Sequence, residues 1–384
     1  MIVQEPYWAL IPKLTLNKDS VNTTPGYQIA FTGLRRQYNN LREEILDATD
    51  RVLTSGNLMN GRFTQQFEEW LAQKNHTNYA VLCHSGTQAL EILADYYRTE
   101  YSLHPQPKPP TVLIPAMTFP ASANAFARAG WNIHLIDTDA YGNMKFSDIP
   151  QNLNYHAILG IGLYGAALSD SLRQIRPLII EDAAQHWLSN NCHHVGHARA
   201  ISFDPMKNLN NYGNGGAVVT DDRHLSDYAR NWCDNGKRSS HAQTGSNSRM
   251  SEVDCAQMMV KTVYLDAWQA RREKIARQYM AAFGAAPFRC LIDDSNASTH
   301  CFHKFVIDTD NRDQLQVNLR SAGIETRVHY QHPLHELAAY QQYAGPSILS
   351  AASSLSRRAL SLPIYPELTD SEVDYIISSV LDCV

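Results

Sequence analysis

ISFDPMKNLNNYGNGGAVVT, residues 201–220, is the stretch whose reading decides the fold. It opens apolar, runs through Ser202-Phe-Asp-Pro-Met-Lys207, passes Gly213-Asn-Gly-Gly216 and ends in the strand-like run Ala217–Thr220. Pro and Gly punctuate turns, and β-branched runs after them read as strands. The pattern predicts Lys207 on a turn between two strands. A Lys held there can become a buried amine with a lowered pKa, able to form a Schiff base. The ordinary reading of any single Lys is a solvated surface side chain.

Working upstream, strands and helices alternate. Tyr79–His84, Thr111–Ile114, His134–Ile136, Ala157–Gly160 and Leu178–Ile180 read as short buried strands. Leu90, Leu93, Ala94 and Tyr97 mark one face of a helix between the first two, and Ala121–Ala129 is a small-residue helix. Such alternation predicts an α/β layer around a mostly parallel sheet. Before it, Leu34, Tyr38, Leu41, Ile45, Ala48 and Val52 have helical spacing, and Ser55-Gly56 stops that helix.

Downstream the texture changes near Met250. Glu252 to Tyr279 reads as one long helix able to bridge two lobes, and Ala286-Pro287 breaks the chain. Phe302–Ile307, a helix near Leu315–Leu319, and Arg327–Tyr330 suggest a smaller α+β lobe. The last helix starts at Thr369-Asp-Ser-Glu372, a capping-box pattern. The division expected is an extension over 1–27, a large domain over 28–265 and a small C-terminal domain over 266–384.

The bulk properties remove several function classes. A chain of 384 residues can bury a large core and carry a second lobe. Its 44% apolar and 18% charged residues are those of a globular protein. A net charge of −5 gives no basic footprint for nucleic acid. No apolar run is long enough to span a membrane, and the N-terminus lacks the pattern of a secretory signal. The seven cysteines form no framework, which suits reduced thiols in a cytoplasm.

Three further features sit at strand ends or turns, where ligands of open α/β sheets bind. In His84-Ser-Gly-Thr-Gln-Ala-Leu90 a strand ends, Gly86 permits close backbone approach and a helix starts. Free N–H groups there attract phosphate. Ile179-Ile-Glu-Asp-Ala-Ala-Gln185 places an acidic pair at the end of an apolar strand, pointing into a cleft. An acidic helix cap is the plain alternative. Arg327-Val-His-Tyr-Gln-His-Pro-Leu-His335 gathers three His and a Tyr suited to a polar, phosphorylated ligand, or to an exposed loop.

Two other patterns compete. Gly160-Ile-Gly-Leu-Tyr-Gly165 follows a strand, with Glu181 and Asp182 near the expected offset, and matches the dinucleotide fingerprint. It would make the chain an NAD-dependent oxidoreductase, but leaves Lys207 and the Ser-Gly-Thr turn unexplained. Cys192-His-His-Val-Gly-His197 looks like a metal tract without a fourth ligand at metal spacing, so no metal is expected.

Taken together, these stretches resemble the DegT/DnrJ/EryC1/StrS family of sugar aminotransferases, of the aspartate-aminotransferase fold. The resemblance runs from about Ile29 to the C-terminus. It rests on Ser55-Gly, Gly61, Phe67-Glu68, Ser85-Gly-Thr87, Thr118-Phe119, Leu163-Tyr-Gly165, Glu181-Asp-Ala-Ala-Gln185 and Ser202-Phe…Lys207, then on Gly245-Ser-Asn-Ser-Arg-Met250, His329-Tyr330 and Leu362-Pro363, in that order. It implies a fold-type-I pyridoxal-phosphate enzyme with a seven-stranded, mostly parallel sheet and a smaller C-terminal α+β domain. It also reads Gly160–Gly165 as the family's Leu-Tyr-Gly loop.

What the resemblance implies for single residues is as follows. Lys207 carries pyridoxal 5′-phosphate and shuttles the proton. Asp182 keeps the pyridine nitrogen protonated. Phe119 stacks on the ring, and Gln185 lies near its phenolic oxygen. Gly86, Thr87 and Gln88, with Ser202, hold the phosphate, and Asn247 reaches it from the second subunit of a homodimer. His329 and Tyr330 face a nucleotide-linked keto-sugar, which receives an amino group from a donor such as glutamate. A Lys at 207 argues against the dehydratase branch of the same fold, where His replaces it. The Lys207-Asn-Leu, Gly245–Met250 and His329-Tyr330 contexts look closer to the 3-keto than the 4-keto branch. Gly162 and Asn214 depart from the family's usual His and acidic residue.

Overall fold

The computed structural model describes residues 27–384, apart from 103–107, 150–151, 176 and 346–347. The extension expected over 1–27 therefore lies outside the described residues, Tyr27 excepted.

The chain enters through helix α1 (Leu34–Ser55), where Leu41, Ile45, Ala48 and Val52 are buried as their spacing predicts. Each such side chain contributes about 1.5–3 kcal/mol when fully buried. Gly56, at φ 69°, ends the helix in the left-handed region that glycine adopts freely. Helix α2 (Arg62–Lys74) follows, and Phe67 and Leu71 bury its inner face.

Seven strands then build one sheet: β1 (Tyr79–Cys83), β2 (Thr111–Pro115), β3 (Asn132–Ile136), β4 (Ala157–Ile161), β5 (Leu178–Asp182), β6 (Ala198–Ser202) and β7 (Gly216–Thr220). Their order is β1-β7-β6-β5-β4-β2-β3. Only β7 runs against its neighbours, pairing antiparallel with β1 and β6, while the remaining pairs are parallel. Helices α3 (Gly86–Ser102), α4 (Ala121–Arg128) and α5 (Arg223–Trp232) pack on one face through Leu90, Leu93, Phe126 and Leu225. On the other face Phe67, Leu71 and Met258 meet Leu82, Ile201 and Val219. The sheet is thus buried on both sides, as parallel sheets must be.

The predicted single helix over 252–279 is two: α6 (Glu252–Thr262) and α7 (Leu265–Phe283). Thr262 turns its hydroxyl back onto the Met259 carbonyl at 2.6 Å, competing with the helical ladder. At the break Lys261 is fully buried against the Asn210 carbonyl at 2.8 Å, while Val263 is 79% exposed. The axis turns there, and α7 crosses to a second core around Tyr279, Phe305 and Leu360.

That second core backs a three-stranded antiparallel sheet of β8 (Arg289–Cys290), β9 (Phe305–Asp308) and β10 (Ala359–Leu362), ordered β10-β9-β8. Helices α8 (Arg312–Ser321), α9 (Ser350–Arg358) and α10 (Asp370–Asp382) complete the lobe. Arg327–Tyr330, expected as a strand, makes one bridge, Arg327 to Ser361. The capping box at α10 is present: Thr369 accepts the Glu372 N–H at 3.2 Å and Glu372 accepts the Thr369 N–H at 2.9 Å. Among the described residues no helix is long and apolar enough to cross a membrane.

The acidic pair at the end of β5 does not point into the cleft as a pair. Side chains alternate along a strand, so Glu181 and Asp182 face opposite ways. Glu181 is fully buried beneath the sheet, 2.7 Å from Arg199 Nε, and accepts the N–H of Gly196 at 2.6 Å. Arg199 also donates to the Asn75 side chain and the Cys192 carbonyl. Burial pushes the Glu181 carboxyl up, but Arg199, His186 and the Gly196 N–H together hold it well below the usual carboxylate range. Glu181→Gln strands the buried Arg199 charge and should cost about 3–5 kcal/mol in urea unfolding. Because its folded pKa is depressed, the Glu181 contribution is present above the ordinary carboxylate range and fades as pH falls below it. A variant within ~1 kcal/mol of the parent would contradict this role.

Candidate active site

The carboxyl ends of β1, β5 and β6 lie side by side, because the antiparallel β7 returns between β1 and β6. A cavity of about 310 Å³ opens there, between these strand ends and the His303-Lys304 and His329-Tyr330 segments of the small lobe. Of the residues singled out in sequence, Gly86, Thr87, Phe119, Asp182, Gln185, Ser202, Lys207, His329 and Tyr330 line it.

Asp182 ends β5 with its carboxylate toward the cavity and is 7% exposed. Ser122 Oγ donates to its Oδ2 at 2.7 Å, and Thr118 Oγ1 lies 3.0 Å from Ser122 Oγ. The Ala184 N–H meets Oδ1 at 3.3 Å. These donors fix the direction of the carboxylate. Ser122 went unnoticed in sequence because a helix of small residues reads as close packing, and Thr118 entered only within the Thr118-Phe119 stretch of the resemblance.

Lys207 follows Ser202 through a tight turn in which the Ser202 hydroxyl accepts the Asp204 N–H at 3.3 Å and the Asp204 carboxylate accepts the Met206 N–H at 2.9 Å. Burial pushes the Lys207 amine down from its ordinary value; Asp182 and Asp204 pull it partly back. It forms no ion pair among the described residues. A half-buried amine with a reduced proton affinity is a competent nucleophile and proton carrier.

The start of α3 faces Ser202. A Cβ on Gly86 would fall 2.6 Å from Ser202 Cβ, and one on Gly216 would fall 2.3 Å from the Ser85 carbonyl carbon. Both glycines are therefore needed for the helix start to sit against the β6–β7 edge. Its first N–H groups, with the Ser202 hydroxyl, make a cradle for an anion. Gln88 does not line the cavity: its N–H donates to Ser85 Oγ at 3.2 Å and its buried Oε1 has no partner. Asn247 is exposed and outside the cavity, bridged to Asp234, with Arg249 donating to its Oδ1 at 3.1 Å.

Gln185 is fixed at both ends of its amide. Its Oε1 accepts the Tyr164 N–H at 2.8 Å and its Nε2 donates to the Tyr330 hydroxyl at 2.9 Å. The Tyr330 proton is thereby left to point elsewhere. His329 Nδ1 lies 2.8 Å from Ser361 Oγ, and burial, with Lys304 and Lys207 nearby, keeps its ring well below its ordinary pKa and neutral. Phe119 is 54% exposed, its ring 5.8 Å from that of Tyr330. His332 and His335 turn toward Glu336 and Ser353 instead.

The two competing patterns take other shapes. Ile161 ends β4, and the chain then makes a single tight turn over Leu163–Gly165 with Tyr164 at φ 63°. No helix opens there to receive a pyrophosphate, which the dinucleotide fingerprint requires. Gly162 is glycine because a Cβ would meet the Ala166 carbonyl at 2.0 Å and His186 at 2.6 Å. In the Cys192–His197 tract His193 stacks on His76, and His197 bonds to the backbone of Ile179, so the side chains diverge. His303 and Lys304, both on the cavity wall, were read in sequence only as part of a strand. The available signal was a charged pair opening a buried apolar run.

The chain matches the DegT/DnrJ/EryC1/StrS aminotransferase family over residues 39–381. It is 31% identical over 370 residues to the erythromycin biosynthesis sensory transduction protein EryC1 of Saccharopolyspora erythraea, covering 92% of this chain and 98% of that protein. It is also 31% identical over 368 residues to the dTDP-3-amino-3,4,6-trideoxy-alpha-D-glucose transaminase of Streptomyces venezuelae, covering 92% and 95%. The crystal structure of S. venezuelae DesV in complex with a ketimine intermediate superposes with a TM-score of 0.85 at 30% identity, over 92% of this chain and 98% of that one.

The cavity fits the family's cofactor, pyridoxal phosphate. A glycine-lined cradle that a Cβ would fill, a buried carboxylate and an amine without an ion pair among the described residues are the donor set that a phosphate, a pyridinium and an aldehyde require. Gly86→Ala should force the start of α3 off Ser202. A clash of that size costs about 1–3 kcal/mol, so cofactor affinity should fall roughly tenfold or more in equilibrium dialysis. Unchanged affinity would show that the cradle is not where the phosphate sits.

Proposed function

Because the chain belongs to the DegT/DnrJ/EryC1/StrS aminotransferase family and is a pyridoxal-phosphate-dependent sugar aminotransferase, we propose that it moves an amino group from glutamate to the 3-keto position of a nucleotide-linked deoxysugar, with Lys207 and Asp182 as catalytic residues. The observation that carries this reading is the convergence of a depressed, unpaired Lys207 amine and a hydroxyl-clamped Asp182 carboxylate on one buried cavity.

When bound, the cofactor supplies an electron sink for the charge left on a carbon that loses its proton. Asp182, held by Ser122, faces the ring nitrogen and keeps it protonated. Lys207 Nζ anchors the cofactor, then takes the proton from the donor carbon and delivers it in reverse on the sugar. Burial serves both acts, since a permanently charged ammonium could do neither. The start of α3 at Gly86 and Thr87, with Ser202, holds the phosphate. Phe119 would cover one face of the bound ring, and Gln185, immobilised by Tyr164 and Tyr330, would sit beside its phenolic oxygen.

His329 and Tyr330 form the sugar-facing wall. The neutral His329 and the free Tyr330 proton offer polar groups to hydroxyls without a competing charge. Asn247, exposed beside Arg249 and Asp234, would reach the phosphate of a second subunit in a homodimer whose sites are shared. The preference for a 3-keto acceptor is supported by the Lys207-Asn-Leu and His329-Tyr330 contexts. It is supported too by the 3-amino sugar that the S. venezuelae transaminase is named for. A regulator that merely kept the fold is disfavoured, since a proton-transfer pair on the cavity wall has no use in it.

The acceptor claim is tested by offering the loaded protein glutamate with matched 3-keto and 4-keto sugar nucleotides and following 2-oxoglutarate. Turnover with the 3-keto sugar should exceed that with the 4-keto sugar. Exclusive use of the 4-keto sugar would overturn the acceptor, and absence of turnover with either would overturn the substrate class.

A further inference from the structure

Lys304 is a second lysine on the cavity wall that no role above employs. It immediately precedes β9, is 6% exposed and forms no ion pair among the described residues. Its Nζ has one hydrogen-bond acceptor, the Met206 carbonyl, at a long 3.4 Å. On its other side the Phe31 ring centroid is 5.2 Å away, and Arg327 covers the same ring at 5.4 Å. The ammonium has three donors, so at least two are left without a protein partner in a buried place.

Leaving a buried cation in this state is costly unless an anion arrives. Burial drives the Lys304 amine well below its ordinary value, with Lys207, Arg272 and Arg327 adding to the push and Asp204 opposing it. The only carboxylates on the cavity wall are Asp182, committed to Ser122, and Asp204, committed to the Met206 N–H. The wall therefore lacks one negative charge, and it lacks it beside the residue that precedes Lys207 in the chain.

That position selects the ligand. Lys304 and Lys207 line the same cavity, and the Lys304 ammonium meets the carbonyl of the residue before Lys207, so a group held by Lys304 belongs close to the reacting carbon of a ligand that reaches Lys207. In an amino-acid donor that group is the α-carboxylate; in a keto-sugar it is a hydroxyl or a methylene. We propose that Lys304 is the binding residue for the α-carboxylate of the amino donor, and so separates the donor half-reaction from the sugar half-reaction that shares the cavity. The proposal rests on the aminotransferase reading above.

The test uses the cofactor-loaded full chain and glutarate, an unreactive dicarboxylate. Calorimetric titration of the parent is compared with Lys304→Met, which keeps length and loses charge, and with Lys304→Gln, which keeps a polar head against the Met206 carbonyl. A charge-assisted hydrogen bond lost here should weaken glutarate roughly tenfold to hundredfold in both variants. The visible cofactor band and the affinity for the sugar nucleotide should stay as in the parent, and KM for glutamate should rise with KM for the sugar unchanged. Parent-like glutarate affinity in a variant with an intact band overturns the proposal. So does an equal loss for glutarate and sugar nucleotide, or a parent that binds inorganic phosphate there in preference to glutarate. A parent chain that shows no cofactor band at all would refute the aminotransferase reading instead, which keeps the two failures apart.

Discussion

A hydrogen-bonded carboxylate and an amine with lowered proton affinity must share one cavity without pairing with each other, and the surrounding structure is arranged around that requirement. Placed in salt-bridge contact, Asp182 and Lys207 would neutralise each other, and neither would be available to a ligand. The chain keeps them on neighbouring parallel strands instead. Asp182 takes its hydrogen bonds from Ser122 and the Ala184 N–H, and Lys207 rides on the turn after β6. Glu181, one residue away, goes under the sheet to Arg199, so that its own charge never reaches the cleft. The sheet topology supplies the spacing and the pleat supplies the sorting.

The joint between the two lobes serves the same end. Tyr164 lies in the left-handed region, where a non-glycine residue is strained, and is held there by bonds in several directions. Its N–H fixes Gln185, its carbonyl accepts the Lys304 N–H at 3.0 Å, and its hydroxyl donates to the His329 carbonyl. Next to it the Gly165 carbonyl accepts the Cys301 N–H at 2.9 Å. One short turn after β4 therefore sets the positions of the Gln185 amide, Lys304 and His329 together. The small lobe is registered against the large one by backbone hydrogen bonds, not by apolar contact alone.

Much of this is legible in the sequence, and the exceptions share a cause. Local signals carried well: the α1 stripe, its Gly56 stop, the Thr369–Glu372 capping box and the turn that carries Lys207 are all set by near neighbours in the chain. What depended on distant partners did not carry. Glu181 and Asp182 read as a pair because the deciding partners, Arg199 and Ser122, lie 18 residues downstream and 60 upstream. The break between α6 and α7 hides in a helical pattern because its causes are a Thr262 back-bond and a buried Lys261. Ser122, His303 and Lys304 were masked by the packing role that their segments also play. Asn247 could be named only through resemblance, since the residue it would serve belongs to another subunit.

The account stands on Lys207 as the amine that holds the cofactor, and borohydride reduction of the loaded protein followed by peptide mapping tests it most directly. Two lysines line the cavity, Lys207 and Lys304. The account predicts that the pyridoxyl group is found on Lys207 alone. Label on Lys304, or on any lysine outside the cavity, would contradict it.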